Sequence, residues 1–328
     1  MQKITSPKYF SNIEELLKKN SLDHANLKTS SYQGTCITIG NFDGVHVGHQ
    51  TLLSRTIDKA KDKNLLPVVV TFWPHPLIVL AGAHAPSLLI TQYERHSLFK
   101  SQGIKLMLEL SFNKDLASLS PEEFVQDVLC PLQCRELVIG YDFSLGKGRA
   151  GNYDVLQALG KQYGFDVERL EPVIVNNAVV SSTRVRNLMR QGNAWEVQSL
   201  LGRHYHLEGT VIHGHGRGEG LGFPTANLEI GETLIPKIGV YATWVQIVGE
   251  NKLWPAVTNV GFVPTFDNKE LTVESFILEG RPELYNKRMR LYFVQYIREE
   301  QRFENIDMLK ERIAKDVFLA REILNMVK

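Results

Sequence analysis

The feature that most constrains the fold of this 328-residue chain is a change of hydrophobic pattern near residue 205. Before that point, continuous apolar runs at 67–72 and 137–140 alternate with segments of helical spacing. Such runs are typical of parallel strands that are covered on both faces. After it, strand-like runs follow one another with only turn residues between them. The pattern predicts an α/β doubly wound parallel sheet followed by an antiparallel barrel or sandwich.

Two helical segments set the predicted domain limits. One is a short piece at 195–201, and the other is a C-terminal helix whose apolar residues recur at spacings of four, four and three from Leu309 to Ala320. The short piece is expected to join the two halves, and the last helix is expected to pack on the second domain. The predicted parts are a first domain at 1–186, a linker helix at 187–203 and a second domain at 204–328.

Composition excludes some classes of partner. Thirty-seven Lys and Arg residues against 36 Asp and Glu residues leave a net charge of +1, so no global field favours nucleic acid or an anionic membrane. Any phosphate site must therefore be local. The three cysteines, Cys36, Cys130 and Cys134, are few and odd in number, which suits a reducing compartment. The first residues carry no apolar core of signal-peptide length, so a cytoplasmic location is expected.

The residues at 40–49, GNFDGVHVGH, predict a phosphate site. They lie between a β-branched apolar run and a segment of helical spacing, so His46 and His49 stand three positions apart at a helix start and share one face. Free N–H groups and the positive end of the helix dipole favour anions there. The alternative is that the two histidines only satisfy core or capping hydrogen bonds, which is the usual fate of a lone histidine.

Two further segments strengthen this prediction. The residues at 180–186, VSSTRVR, place hydroxyl and backbone donors before two guanidinium groups at a helix start, which would clamp an anion. Taken alone, that pattern is more often a capped, solvated helix start. The residues at 71–76, TFWPHP, hold two prolines that stiffen the chain after a buried strand and would shape a substrate pocket. A simple strand exit is the alternative.

These segments, together with GYDF at 140–143, resemble the adenylyltransferase module of the prokaryotic bifunctional riboflavin kinase/FAD synthetase family. The resemblance implies a nucleotidyltransferase fold in the first domain. It also implies that His46 and His49 act in catalysis and that the flavin lies near Pro74, Pro76 and Asp142. The residues implied to bind ATP are Gly40, Phe42, Asp43, Ser182, Thr183 and Arg186.

A second candidate site begins with glycine at every second position from 214 to 222, followed by PTAN at 224–227. The glycines let backbone N–H groups approach a polyphosphate, and Arg217 can neutralise it. A flexible loop would be favoured for the glycines alone. However, the hydroxyl of Thr225 and the amide oxygen of Asn227 are hard ligands that suit Mg²⁺.

This second run is similar to the signature of riboflavin kinases. The resemblance implies a riboflavin kinase-like β-barrel in which Thr225 and Asn227 bind Mg²⁺ and ATP, and in which Glu274 is the general base. Without it, Glu274 would be taken for a solvent-facing strand residue. Gly214, Gly216, Arg217 and Gly222 are implied to bind ATP, and Arg298, Phe303 and Asp316 the flavin. The chain departs from the family pattern at Trp73, Ser144, Leu145, Phe276 and Asn286.

The sequence therefore predicts a bifunctional enzyme that phosphorylates riboflavin to FMN and then adenylylates FMN to FAD, releasing pyrophosphate. Its expected partners are ATP, riboflavin, FMN and FAD, with Mg²⁺ in both steps and no nucleic acid or membrane. One rival keeps the first fold but changes the acceptor, as in a cytidylyl or pantetheine-phosphate transferase. Another rival is a flavin-binding regulatory protein whose adenylyltransferase half has lost its activity.

Overall fold

The computed structural model describes residues 32–213, 222–264 and 269–327. It divides into two compact units, Met1–Val180 and Ser181–Lys328. The helix that carries Ser182, Thr183 and Arg186 therefore falls in the second unit. The predicted assignment of 1–186 and 204–328 to two functions, with a linker at 187–203, stays a prediction. None of the helices in the described ranges is long and apolar enough to cross a membrane.

The first unit alternates strands and helices. Its strands are β1 (Thr35–Ile39), β2 (Leu66–Trp73), β3 (Leu106–Ser111), β4 (Cys134–Ile139), β5 (Asp166–Arg169), β6 (Ile174–Val175) and β7 (Ala178–Val179). Its helices are α1 (Val47–Asp62), α2 (Pro76–Ala81), α3 (Gln92–Ser101), α4 (Lys114–Ser118), α5 (Pro121–Phe124) and α6 (Tyr153–Tyr163).

Five of these strands form one sheet in the order β3-β2-β1-β4-β5, and every pair in it is parallel. The predicted doubly wound parallel sheet is confirmed. All five residues of β1 are buried, as its central place requires. The strand order reverses between β1 and β4. Open α/β sheets bind their ligands at the carboxyl ends of the strands beside such a reversal.

The spacing of a hydroxyl residue and a glutamate in SPEE at 120–123 and in TQYE at 91–94 predicts two helix starts, and their hydrogen bonds confirm both. The Ser120 hydroxyl accepts from the backbone N–H of Glu123 at 3.2 Å, and the Glu123 carboxylate accepts from the backbone N–H of Ser120 at 2.7 Å. This reciprocal pair is a capping box. The Thr91 hydroxyl likewise accepts from the backbone N–H of Glu94 at 3.2 Å at the start of α3.

The second unit begins with two helices and continues as a barrel. Its helices are α7 (Ser182–Gln191), α8 (Ala194–Leu201) and α9 (Ile306–Met326). Its strands are β8 (Tyr205–Ile212), β9 (Thr225–Ile230), β10 (Gly239–Ile247), β11 (Leu253–Pro264), β12 (Lys269–Ile277) and β13 (Arg288–Arg298).

The six strands close in the order β10-β11-β12-β9-β8-β13, with every pair antiparallel. Of the two predicted alternatives, the barrel is correct. The strand-like runs that the sequence predicts lie at 207–212, 240–248, 254–260, 272–278 and 289–294. Strand β9 is not among them, because its sequence TANLEI holds Ala, Asn and Glu, which are depleted in strands. Its pairing with β12 and β8 nevertheless closes the barrel.

The two faces of the barrel wall differ. The hydroxyls of Thr243, Thr258 and Ser275 are fully buried and joined in a chain at 2.8 and 2.9 Å across β10, β11 and β12. Alternate residues point to the other face, where Trp244 and Val294 pack with Ala320 and Leu324 of α9. The expected packing of the C-terminal helix on the barrel is confirmed.

Candidate active sites

The histidine turn, residues 40–49, leaves the carboxyl end of β1 beside the reversal of strand order. The Gly40 N–H donates to the carbonyl of Val70 at 3.1 Å, and the Val45 N–H donates to the carbonyl of Phe42 at 3.2 Å. Phe42 and Val45 adopt φ angles of 51° and 38°, a region that costs a non-glycine residue about 1–3 kcal/mol. Backbone strain of this kind clusters at ligand sites.

His46 is the N-cap of α1. Its Nδ1 accepts from the backbone N–H of His49 at 3.2 Å. An acceptor nitrogen carries no proton, so the neutral ring must hold its proton on Nε2. The capping alternative is therefore correct for Nδ1 of His46, and Nε2 carries the proton of the ring.

His49 lies against His46 as a stacked ring. The two ring centroids are 3.6 Å apart and the planes differ by 14°. Burial, followed by the charge of His46, holds the pKa of His49 well below its usual range. Among the residues that the structure describes, Nδ1 of His49 is buried and has no hydrogen-bond partner. A neutral His49 would contribute a hydrogen bond to a ligand rather than a full positive charge.

Phe42 and Asp43, both predicted to bind ATP, have buried side chains that support the turn. The Phe42 ring is fully buried and meets the rings of His49 and Phe99 edge-on at centroid distances of 5.2 Å. The Asp43 carboxylate accepts from the backbone N–H of Leu89 at 2.9 Å. Any contact of Phe42 with a nucleotide would come from its backbone.

The proline loop, residues 73–76, follows β2 at the same edge of the sheet. The Trp73–Pro74 peptide bond is cis. His75 caps α2 by accepting from the backbone N–H of Leu77 at 3.2 Å, and Pro76 is the first helical residue. The chain therefore turns directly into a short helix after the strand, as a rigid loop requires.

Arg95, a buried cation that the sequence analysis did not identify, contacts both the histidine turn and the strand end that precedes the proline loop. Arg95 of α3 donates to the carbonyls of Asn41 and Phe72 at 3.0 and 3.1 Å and pairs with Glu109 of β3 at 2.8 Å. Neither the spacing nor the residue type of Arg95 marks it in the sequence, since a helical arginine is usually solvated. Contacts between distant segments could not be read from local pattern.

Asp142 follows the carboxyl end of β4, the strand that pairs with β1, and the serine-threonine segment begins α7 of the second unit. Asp142 is exposed, and its carbonyl accepts from Arg149 at 3.0 Å. Ser181, not Ser182, caps α7, because its hydroxyl accepts from the backbone N–H of Arg184 at 3.2 Å. The predicted helix start is confirmed. The roles of Ser182, Thr183 and Arg186 toward ATP stay predictions.

In the second unit, three oxygen-bearing side chains meet on one face of the barrel wall. We call Thr225, Asn227 and Glu274 the oxygen cluster. In the antiparallel register Asn227 lies opposite Glu274, and Thr225 lies opposite Phe276. The Thr225 hydroxyl donates to Oε2 of Glu274 at 3.3 Å. Phe276 packs against the cluster that Trp244 and Val294 form with α9 on the outside of the barrel. Glu274 lies two positions before Phe276 on the same strand, so its side chain also faces outward.

The surroundings of the oxygen cluster are partly aromatic. Phe223 meets Phe276 edge-on with ring centroids 5.3 Å apart, which places this departure from the family pattern in the wall of the site. Gly222 has a φ of 88°, and a Cβ there would meet nothing within 4 Å. Gly214, Gly216 and Arg217 lie outside the described residues.

The three residues of the second unit that are predicted to bind flavin contact one another, and Arg298 links β13 to Asp316 of α9. The Arg298 guanidinium contacts both carboxylate oxygens of Asp316, with Nε at 2.9 Å from each and Nη2 at 2.6 Å from Oδ2. The guanidinium carbon of Arg298 lies 5.9 Å from the ring centroid of Phe303. The departure from the family pattern at Asn286 is explained by its backbone conformation. Asn286 has a φ of 61°, and asparagine adopts this left-handed region more readily than most residues.

The donor atoms of the oxygen cluster fit a hard divalent cation. A hydroxyl, an amide oxygen and a carboxylate are ligands that Mg²⁺ accepts alongside water and phosphate oxygens. Within the described ranges, no group of three or more His, Cys, Asp and Glu side chains forms a site of its own. The oxygen cluster offers three oxygen-bearing side chains, so an octahedral Mg²⁺ bound to it would take its other ligands from water and phosphate oxygens.

Comparison with known proteins assigns each half of the chain. Residues 28–184 match the family described as FAD synthetase. Residues 201–324 match the family described as riboflavin kinase. The two matches cover the histidine turn and the oxygen cluster separately.

Relatives match along nearly the full length. The bifunctional riboflavin kinase/FMN adenylyltransferase of Escherichia coli strain K12 is 36% identical over 304 residues, which is 92% of this chain and 97% of the relative. The protein of the same name from Pseudomonas fluorescens is 37% identical over 294 residues, which is 89% of this chain and 94% of the relative. A Streptococcus pneumoniae crystal structure described as a macrolide-efflux protein shares 28% identity, with a TM-score of 0.83 over 98% of each chain.

Proposed function

This chain belongs to the family of bifunctional riboflavin kinases/FMN adenylyltransferases, and we propose that the oxygen cluster serves its kinase reaction and the histidine turn its adenylyltransferase reaction. The chain phosphorylates riboflavin to FMN and adenylylates FMN to FAD. The hydrogen bond between Thr225 and Glu274 is the main support for assigning the kinase reaction to the oxygen cluster. It brings a carboxylate and the first residue after Pro224 together on one face of the barrel.

In the kinase reaction, Glu274 accepts the proton of the ribityl 5′-hydroxyl of riboflavin. That oxygen forms a bond to the γ-phosphorus of ATP as the bond from this phosphorus to the bridging oxygen breaks, and ADP leaves. Thr225 and Asn227 would hold Mg²⁺, which neutralises charge on the phosphates when bound. A half-buried carboxylate already hydrogen-bonded to Thr225 is held in place for this proton transfer.

In the adenylyltransferase reaction, a phosphate oxygen of FMN attacks the α-phosphorus of ATP, and the bond to pyrophosphate breaks. The nucleophile is already an anion, so no general base is required. His46, through Nε2–H, and His49 donate hydrogen bonds to phosphate oxygens as charge develops. The low pKa of His49 favours a neutral donor, so position and hydrogen bonding carry more of this role than net charge.

The partners that we propose are the small molecules ATP, riboflavin, FMN and FAD, with Mg²⁺ as the metal in both reactions. A cytoplasmic location is proposed from the state of the thiols. Cys36, Cys130 and Cys134 are all free, and Cys36 and Cys134 are buried, which suits a reducing compartment.

Incubation of the protein with riboflavin, ATP and Mg²⁺, followed by separation of the flavins, tests this proposal. FAD formation that stops with a chelator and returns with added Mg²⁺ is expected. FMN as the only product would show that the histidine turn does not support adenylylation. Unchanged riboflavin would favour the rival regulatory protein that binds flavin without converting it.

A further inference from the structure

We propose that Arg95 is a positioning residue for adenylyl transfer, which holds the histidine turn and the proline loop at a fixed separation. The inference rests on the proposed adenylyltransferase site at the histidine turn. Arg95 lies on α3 and belongs to neither segment, yet its guanidinium donates to a backbone carbonyl in the first segment and to the carbonyl that precedes the second.

The two hydrogen bonds leave from different nitrogens of one rigid group. Nη1 of Arg95 donates to the carbonyl of Asn41 at 3.0 Å, and Nη2 donates to the carbonyl of Phe72 at 3.1 Å. A guanidinium presents its donors as a planar fork of fixed geometry. The distance between the two carbonyls is therefore determined by a group that cannot easily deform, whereas the two loops on their own could shift.

The guanidinium is itself held in place. The Arg95 side chain is only 4% exposed, and its Nη2 pairs with the Glu109 carboxylate at 2.8 Å. The same carboxylate contacts Nε2 of His96 at 2.9 Å and the side-chain amide of Gln92. Burial acts to raise the pKa of Glu109, but His96 and Arg95 together hold this pKa below its usual range. Glu109 therefore stays charged and anchors Arg95.

A second side chain of α3 supports the same turn. Phe99 lies four residues after Arg95, so both project from one face of the helix. Its ring meets that of Phe42 edge-on at a centroid distance of 5.2 Å, and Phe42 in turn meets His49 at 5.2 Å. The Arg95 guanidinium also lies 5.7 Å from the ring centroid of Trp73 in the proline loop. One helix face thus contacts both segments.

The consequence for catalysis follows from orientation. The family resemblance places ATP at the histidine turn and the flavin at the proline loop, and a misplacement of reacting groups by about 1 Å can cost up to about 100-fold in rate. Without the Arg95 guanidinium, the distance between the histidine turn and the proline loop should no longer be fixed. It should affect FAD formation and spare FMN formation, because the oxygen cluster lies in the other compact unit.

The test compares Arg95→Met, Arg95→Lys and His49→Ala in the full-length protein. For each we would measure kcat and KM for FAD formation from FMN, the rate of FMN formation from riboflavin, and the melting temperature. Arg95→Met should lower kcat/KM for FAD formation about 10-fold or more. Arg95→Lys keeps the charge beside Glu109 and should recover part of that loss without reaching the wild-type value. FMN formation should be unchanged in both.

Glu136→Gln is the matched control for lost stability. Glu136 is a carboxylate on β4 of the same sheet, 2% exposed and paired with Lys59 at 2.8 Å, and it contacts neither the histidine turn nor the proline loop in the described structure. It should lower the melting temperature and leave the kinetics of FAD formation unchanged.

The outcomes separate the two proposals. Wild-type FAD kinetics in folded Arg95→Met, together with lost activity in His49→Ala, would overturn the positioning role alone. Wild-type activity in His49→Ala would overturn the proposed site and this inference with it. Equal losses of FAD formation in Arg95→Met and Glu136→Gln would reduce the role of Arg95 to stability. If Arg95→Met does not fold, wild-type kcat/KM in Arg95→Lys would overturn the proposal, and a selective loss would support it.

Discussion

The Thr225 hydroxyl donates to Oε2 of Glu274 at 3.3 Å, joining the first residue of β9 to the middle of β12. The bond connects two residues 49 positions apart and gives the carboxylate a fixed orientation on the outer face of the barrel. It also brings the hydroxyl next to the carboxylate that we propose as the proton acceptor of the kinase reaction, so changes at Glu274 should act on that reaction alone.

Glu274→Ala should stop FMN formation and leave the conversion of FMN to FAD intact. Removal of a general base lowers the rate about 100-fold or more. Separate assays with riboflavin and with FMN as substrate measure the two reactions. His49→Ala is the reciprocal variant and should lose FAD formation alone. Loss of both reactions in either variant would contradict separate sites.

His46 caps α1 and is proposed to donate a hydrogen bond to phosphate, and two substitutions should separate these roles. His46→Asn retains a side chain that can cap α1, whereas His46→Ala removes the acceptor for the His49 N–H. Both should lose FAD formation because both lack the Nε2 donor. Only His46→Ala should also lose about 1 kcal/mol in the free energy of unfolding. Urea unfolding measures that difference, and full activity in His46→Asn would show that capping is the only role of His46.

The ion pair between Arg298 and Asp316 should contribute strongly to stability. The two side chains are 12% and 2% exposed, and removal of one partner from a buried pair costs about 3–5 kcal/mol. We expect Asp316→Asn to lower the free energy of unfolding of the second unit by about 3 kcal/mol, measured by chemical denaturation. Glu311→Gln on the same helix breaks an exposed pair with Lys315 and should have no measurable effect. An equally small effect of Asp316→Asn would contradict the prediction.

His206 should make the second unit sensitive to acid. Burial, with the charges of Arg203 and Arg290, lowers the pKa of this β8 side chain from 6.5 to about 3. Between pH 6.5 and about 3, His206 therefore binds a proton in the unfolded chain but stays neutral in the folded state. Stability should fall by at most about 1.4 kcal/mol per pH unit as the pH drops from 6.5 toward 3.

The matching variant for this pH dependence is His206→Phe, which keeps a ring beside Tyr292 but cannot titrate. Unfolding at pH 7.5, 5.5 and 4.5 can be followed by tryptophan fluorescence, because Trp195, Trp244 and Trp254 lie in the second unit. The variant should show the shallower decline in stability with acid. Parallel declines would exclude His206 as the cause.

Much of the fold could be predicted from local sequence. The capping box at Ser120, the cap at Thr91, the apolar runs and the change of period depend only on residues that are near one another in the chain. They therefore identified the parallel sheet and the barrel-like half. Strand β9 was missed because its stability comes from pairing with β12 and β8 rather than from its own composition.

The candidate sites divide in the same way. The sequence by itself determined that His46 and His49 share a helix start and that PTAN supplies hard oxygens, since these are matters of spacing and residue type. Only the tertiary structure decided that Arg95 supports a turn 54 residues away and that Thr225 meets Glu274. Contacts of this kind depend on sheet register and on the packing of distant elements, and no local pattern encodes them.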